Sequence, residues 1–202
     1  MITIIDYGAG NLHSFQGALK RLGIPGRRAE TPAEAAPEGT LVLPGVGHFN
    51  AARAALMERG WWQVLPALAR ARPVLGICLG LQLLAEGSEE SPGDPGLGLL
   101  EGTSRRLGPG VKVPNMGWAV TRAAASHPSL PDYREDWLYY VHSYALDPNP
   151  ETLLVATHGR PYAAMQARGR VLGFQGHPEK SGAFGERLLR SVLGWLGETP
   201  CA

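Results

Sequence analysis

One pentapeptide limits what this 202-residue chain can be: Gly76-Ile77-Cys78-Leu79-Gly80. It is entered from the apolar run Pro73-Val74-Leu75 and left through Leu81, Leu83, Leu84 and Ala85. A short apolar strand that passes through G-x-C-x-G into helical spacing is a strand-to-helix elbow. The glycines two residues before and after the centre permit a sharp turn, so the Cys78 side chain projects at the start of the helix. Unpaired N–H groups and the macrodipole at a helix N-terminus favour a thiolate. Cys78 is therefore the candidate nucleophile, and it requires a base, a group that orients the base, and an oxyanion site.

The composition fits a globular enzyme. With 19 basic and 18 acidic residues the formal net charge is +1, which leaves no electrostatic footprint for nucleic acid or an anionic membrane. No apolar run approaches the ~20 residues that span a bilayer. Met1-Ile2-Thr3-Ile4-Ile5-Asp6 lacks a basic leader and reads as a first strand, so the expected compartment is the cytoplasm. Two cysteines, Cys78 in the elbow and Cys201 in the tail, make no disulfide framework. No two histidines stand at i, i+4 metal spacing, and no phosphate-binding glycine motif is present, so neither a metal nor a cofactor is expected.

Along residues 1–202 the pattern is that of one domain. Ile2–Ile5, Leu41–Leu43 and the run Pro73-Val74-Leu75 that leads to Cys78 read as buried strands, separated by helical stretches at about 12–22, 49–59 and 61–71. Near-continuous apolar strands alternating with helices indicate a parallel sheet covered on both faces, with ligands at the C-terminal strand ends. The second half carries short candidate strands near Val111–Val113, Ala119–Thr121, Leu138–Val141, Leu153–Thr157, Tyr162–Ala167 and Val171–Phe174, an antiparallel extension. A final amphipathic helix is expected at about Ala183–Leu196.

The base and its orienting group sit together in His177-Pro178-Glu179, just after the apolar run Val171–Phe174. Proline cannot continue a sheet ladder, so this segment lies at a strand end. A two-residue step puts His177 and Glu179 on one side of an extended backbone. Glu179 can then hold one imidazole nitrogen while the other faces Cys78, which is triad logic. The N–H of Leu79, the first after the nucleophile, is one oxyanion donor. The turn Pro44-Gly45-Val46-Gly47 supplies the other at Val46, where flanking glycines permit the peptide to rotate.

The elbow Gly76-Ile77-Cys78-Leu79-Gly80-Leu81-Gln82 together with His177-Pro178-Glu179 resembles the triad-type, class I glutamine amidotransferases. More narrowly, the chain is similar to the glutaminase subunits of imidazole glycerol phosphate synthase. That likeness is carried by Ile5–Leu12, Pro44–Phe49, Pro114-Asn115-Met116-Gly117-Trp118, Tyr140–Tyr144 and His177–Gly182. The resemblance implies a class I glutamine amidotransferase-like (flavodoxin-like) α/β sandwich, its central sheet mostly parallel with helices on both faces. It implies glutamine as substrate, a Cys78 thioester, and no cofactor. Gly45, Gly47, Gln82, Ser143 and Tyr144 match substrate-binding positions. It also implies a heterodimer with a (β/α)8-barrel cyclase that receives the ammonia and converts PRFAR into imidazole glycerol phosphate and AICAR. Asn11, Pro114, Asn115, Met116, Trp118 and Lys180 match positions near that interface.

Two positions depart from the pattern. Gly176 stands where an aromatic usually precedes the histidine, which implies a less tightly packed His177. Ala119 follows Trp118 where asparagine is usual, at the expense of a polar contact near the partner. Two other readings share these motifs: the amidotransferase subunit of another synthase, and a stand-alone cysteine hydrolase of γ-glutamyl compounds. Trp61, Trp62 and Trp195 read as packing residues, as do the alternating Trp137, Tyr139 and Tyr140.

Overall fold

The structure, a computed structural model, describes residues 1–200; Cys201 lies outside the described residues. Strands in chain order are β1 (Ile2–Ile5), β2 (Gly26–Ala29), β3 (Leu41–Gly45), β4 (Val74–Cys78), β5 (Gly87–Ser88) and β6 (Thr103–Arg106). They continue as β7 (Asn115–Ala123), β8 (Glu135–His142), β9 (Tyr144–Leu146), β10 (Thr152–His158), β11 (Arg160–Arg168) and β12 (Val171–Phe174). The helices are α1 (Leu12–Leu22), α2 (Phe49–Glu58), α3 (Trp61–Ala71), α4 (Leu79–Leu84) and α5 (Gly182–Trp195).

Nine strands form one sheet in the order β2-β1-β3-β4-β12-β11-β10-β7-β8. The first five run parallel, and β11, β10, β7 and β8 extend the sheet antiparallel. Strands β5, β6 and β9 make a separate small sheet. The inner parallel strands β1, β3, β4 and β12 are buried along their length because both faces are covered, whereas the edge strand β2 exposes Arg27 and Arg28. Ile2, Ile4, Val42, Leu75 and Ile77 face one core with Phe15, Leu19, Leu188 and Leu189 of α1 and α5. Leu41, Leu43 and Val74 face the other with Phe49, Leu56, Trp61 and Leu65 of α2 and α3. Helix α1 is closed at both ends as its sequence requires. Asn11 Oδ1 accepts the Ser14 N–H at 3.1 Å, and Gly23 takes the left-handed conformation at φ 71°.

Three expectations need correction. Val111–Val113 forms no strand, since the neighbouring Gly108-Pro109-Gly110 and Pro114 hold it in turns. Strands β2, β5, β6 and β9, two to four residues each, lack the alternation that would reveal them. Trp137 is 53% exposed on β8 and packs in no core. No helix among the described residues is long and apolar enough to cross a membrane.

The elbow glycines do a different job from the expected one. The turn is made by Cys78 itself, at φ 56° and ψ −109°, and Cys78 is the only non-glycine with positive φ among the described residues. Gly76 and Gly80 instead clear space. A Cβ on Gly80 would lie 1.8 Å from the Leu43 carbonyl oxygen, and one on Gly76 would lie 2.7 Å from the Leu81 nitrogen. Gly80→Ala is therefore expected to destabilise the chain by at least ~3 kcal/mol or to abolish folding. Chemical denaturation of Gly80→Ala with near-parental stability would show that α4 does not sit this close to β3.

Candidate active site

Sheet order assembles the site. Strand β4 lies between β3 and β12, with Gly45 paired to Cys78 and Phe174 paired to Ile77. The Val46 turn, the elbow and the His177 segment thus leave the C-terminal edge of three adjacent parallel strands. A cleft of about 230 Å³ opens there, lined by Val46, Gly47, Cys78, Leu79, Gln82, Glu90, Pro114, Val141, His142, Ser143 and Tyr144. That is below the ~300–1,000 Å³ of drug-sized ligand pockets, and it suits a single amino acid.

His177 is held on every side. Its Nδ1 and Glu179 Oε1 are 2.8 Å apart, and both side chains are buried. Its backbone N–H donates to the Tyr139 carbonyl at 2.8 Å, and its carbonyl accepts the Ser181 hydroxyl at 2.7 Å. Burial disfavours the imidazolium, but Cys78 and Glu179 outweigh burial and raise His177 to about 10. Nε2 makes no hydrogen bond to the described residues, so this nitrogen is the one left for chemistry. Gly176 does not loosen the histidine. The Tyr140 ring occupies the space of the missing side chain, 3.0 Å from where a Cβ would stand.

The sulfur of Cys78 has two polar contacts, to the Val141 carbonyl and to the Gln175 amide, each at 3.7 Å. Gly47, at φ 95° with nothing within 4 Å of a Cβ position, leaves the Val46 turn open. Gly45 lies behind the cleft and lines a smaller cavity with Asn11, Val46, His177 and Glu179.

The cysteine at the head of α4 and the buried histidine–glutamate pair lie within residues 3–193, which match the family model for class-I glutamine amidotransferases. The chain belongs to that family. Among curated relatives, imidazole glycerol phosphate synthase subunit HisH of Desulfitobacterium hafniense is 43% identical, covering 98% of this chain and 96% of its own. The HisH of Symbiobacterium thermophilum is 45% identical over 93% of this chain and 91% of its own. That of Methanopyrus kandleri is 40% identical, covering 95% and 96%. Among solved structures, a glutamine amidotransferase superposes with a TM-score of 0.77 at 21% identity, covering 97% of this chain and 98% of that one. PurLQS from Thermotoga maritima gives 0.72 at 19% identity, covering 96% and 98%.

In this glutamine amidotransferase several supporting residues escaped the sequence reading. The buried Tyr7 hydroxyl donates to the Pro44 carbonyl at 2.9 Å and so fixes the strand that precedes Val46. Burial, and then the nearby Cys78, push this phenol above its ordinary range, so it stays a neutral donor. Glu90 reaches the cleft from a loop with no motif, while its Oε2 accepts the Phe49 N–H at 2.8 Å. Asn115 is 7% exposed and is no surface residue. Its amide bridges His142 Nε2 and the Tyr162 hydroxyl, each at 3.2 Å. Met116 (64% exposed) and Trp118 (53%) point outward from β7. Ala119 faces the opposite way and packs on the core, so its departure leaves the Trp118 face unchanged. Asn11 and Lys180 are both half-buried.

His142 is locked as a neutral ring. The Tyr144 carbonyl can only accept, so Nδ1, 3.0 Å away, carries the proton and Nε2 accepts from Asn115. Burial lowers His142 from 6.5 to about 4. The unfolded chain therefore binds more protons between those values, and the stability contributed by neutral His142 is complete above 6.5 and lost as pH falls towards 4. Relative to His142→Gln, the parent is expected to lose up to about 3 kcal/mol across that window. Urea denaturation at several pH values checks this, and a constant difference between the two proteins would contradict it.

Proposed function

We propose that this chain is the glutaminase subunit of an imidazole glycerol phosphate synthase, with Cys78, His177 and Glu179 as its catalytic set. The observation that carries the catalytic reading is the strained Cys78 backbone at a cleft whose neighbouring strand end delivers the His177–Glu179 pair. Backbone strain at a reactive side chain is a mark of function, because only a well-packed surround maintains it. The HisH names of relatives above 40% identity support the choice of synthase.

The reaction follows from these positions. The Cys78 thiolate attacks the side-chain carbonyl carbon of glutamine, and the oxygen takes the charge, held by the N–H groups of Leu79 and Val46. His177 gives its Nε2 proton to the departing nitrogen, which leaves as ammonia, and the acyl group remains on sulfur. Water, deprotonated by the same nitrogen, then splits the thioester into glutamate and free thiolate. Glu179 keeps the ring oriented throughout. The substrate head group lies along Gln82, Ser143 and Tyr144, with Glu90, the one carboxylate on the cleft wall, facing the ammonium. Gly45 and Gly47 give the backbone around Val46 the freedom to present its donor.

The outer face of β7 and β8 is the docking surface for the barrel cyclase. Met116, Trp118 and Trp137 are all more than half exposed there, and Trp118 packs edge-on against Tyr139 with ring centroids 6.1 Å apart. Pro114 and Val141 carry this face into the rim of the cleft. Ammonia released at Cys78 therefore leaves beside the partner. Asn11, which lines the cavity behind the cleft, and Lys180 are proposed as further contacts of the cyclase.

Cys78→Ser is expected to remove glutamine hydrolysis, by at least ~10³-fold, while cyclase binding persists. Turnover within a few-fold of the parent would exclude a thioester route. Ammonia release should be slow in isolation and rise by orders of magnitude with the cyclase, as a rotating Val46 donor requires. Equal rates with and without the cyclase would instead favour a stand-alone hydrolase. Trp118→Asp should weaken the complex at least ~10-fold without loss of folded structure, as read by titration calorimetry. Glu179→Gln should impair kcat less than His177→Ala, and the reverse order would exchange their roles.

A further inference from the structure

Strand β12 delivers a second polar side chain to the nucleophile, two residues before His177. Gln175 is fully buried and donates its Nε2–H to Cys78 Sγ at 3.7 Å. Its amide cannot turn over. Gln175 Oε1 accepts from Gln82 Nε2 at 3.0 Å, and the same Gln82 nitrogen donates to the Tyr144 carbonyl at 2.9 Å. A backbone carbonyl only accepts, so Gln82 presents nitrogen to it. Gln175 must then present oxygen to Gln82 and nitrogen to the sulfur. The Tyr144 carbonyl is itself fixed by a second donor, His142 Nδ1.

The two contacts of the sulfur serve different protonation states. Val141 offers a carbonyl oxygen, which can take an S–H and repels an anion. Gln175 offers a donor, and donors bind a charged acceptor about twice as strongly as a neutral one. Loss of the thiol proton therefore abandons the Val141 contact and strengthens the Gln175 contact. We infer that Gln175 is a catalytic residue: its amide N–H, oriented by the relay through Gln82 from the Tyr144 carbonyl, holds the sulfur anion of Cys78 for attack. Gln82 thereby acts on the nucleophile as well as on the substrate. The inference rests on Cys78 being the nucleophile. Other titratable groups around the sulfur are His177 with Glu179, Tyr7 from the end of β1, and Glu90 and His142 in the cleft. None of them makes the neutral N–H contact that Gln175 makes.

The test uses the full chain in its complex with the cyclase, in a Cys201→Ser background. The rate of Cys78 carbamidomethylation by iodoacetamide is followed by mass spectrometry between about pH 5 and pH 9, where thiols of differing reactivity titrate. Gln175→Met keeps the volume and removes the donor. Its alkylation midpoint should move up by about one pH unit, with kcat about tenfold lower and KM for glutamine within about twofold. Gln82→Met removes, without adding charge, the donor that holds Gln175 Oε1, so the Gln175 amide is released and leaves the sulfur. This variant should show the same upward midpoint although residue 175 is unchanged, and it carries the test if Gln175→Met does not fold. An unmoved midpoint in the variant that folds, whatever its stability, overturns the inference. Cys78→Ser separates the two readings: if it retains turnover, the nucleophile assignment fails, whereas an inactive Cys78→Ser beside unmoved midpoints removes only the role of Gln175.

Discussion

Helix α4 begins in direct contact with strand β3, and the chemistry depends on that approach. Between Gly80 and the Leu43 carbonyl there is no room for a methyl group. A helix seated so deeply cannot be reached from β4 by ordinary backbone angles, so Cys78 absorbs the turn at positive φ. The strain is maintained by packing on both sides. Gly173 of β12 admits Leu81, whose side chain would lie 2.6 Å from a Cβ there, and Gly76 admits the α4 backbone. The side chain at the point of greatest strain is the proposed nucleophile, because the same turn that strains the backbone lifts it clear of the sheet.

Around this elbow several side chains anchor backbone carbonyls, while His177 Nε2 and Glu179 Oε2 are buried without a hydrogen bond. Tyr7 fixes Pro44, Ser181 fixes the His177 carbonyl, and His142 and Gln82 both fix Tyr144. Each is a hydrogen bond to a backbone carbonyl at the edge of the cleft. In a low-dielectric interior such bonds gain strength while any unmade partner becomes costly, so the site is rigid where it must position sulfur and imidazole. Val46 and Gly47 are the contrast: Val46 is 38% exposed, and Gly47 has nothing around it. The open Val46 turn is where the proposed donor has room to reorient when a partner docks.

Much of the parallel half was legible, since strands buried on both faces read as apolar runs and α1 carries its caps in its own residues. Strand β12 and helix α1 appear with the boundaries their patterns indicate. Short edge strands such as β2 and β6 were hidden because half-exposed segments of four residues have no period to detect. In the site, Cys78, His177 and Glu179 were readable because each sits in a local motif whose glycine or proline punctuates a strand end. Gln175, Tyr7 and His142 were not, because a buried amide, phenol or neutral imidazole acquires its purpose from neighbours on other strands, 97 residues away for Gln175, 37 for Tyr7 and 27 for His142. Asn115 shows the converse: its motif neighbours face solvent, and strand alternation turns it inward.

By itself the sequence singled out Cys78, His177 and Glu179 as the candidate catalytic set, along with the alternation of strand and helix that makes an α/β sheet. These depend on local backbone chemistry: a turn between glycines, a proline at a strand end, and apolar periodicity. Only the tertiary structure decided which amide nitrogen meets the sulfur and that Tyr140 fills the space beside Gly176. It also decided which of the Pro114–Trp118 residues reach the surface. Those outcomes depend on the order of strands in the sheet, and contacts between distant segments are fixed only when the whole sheet closes.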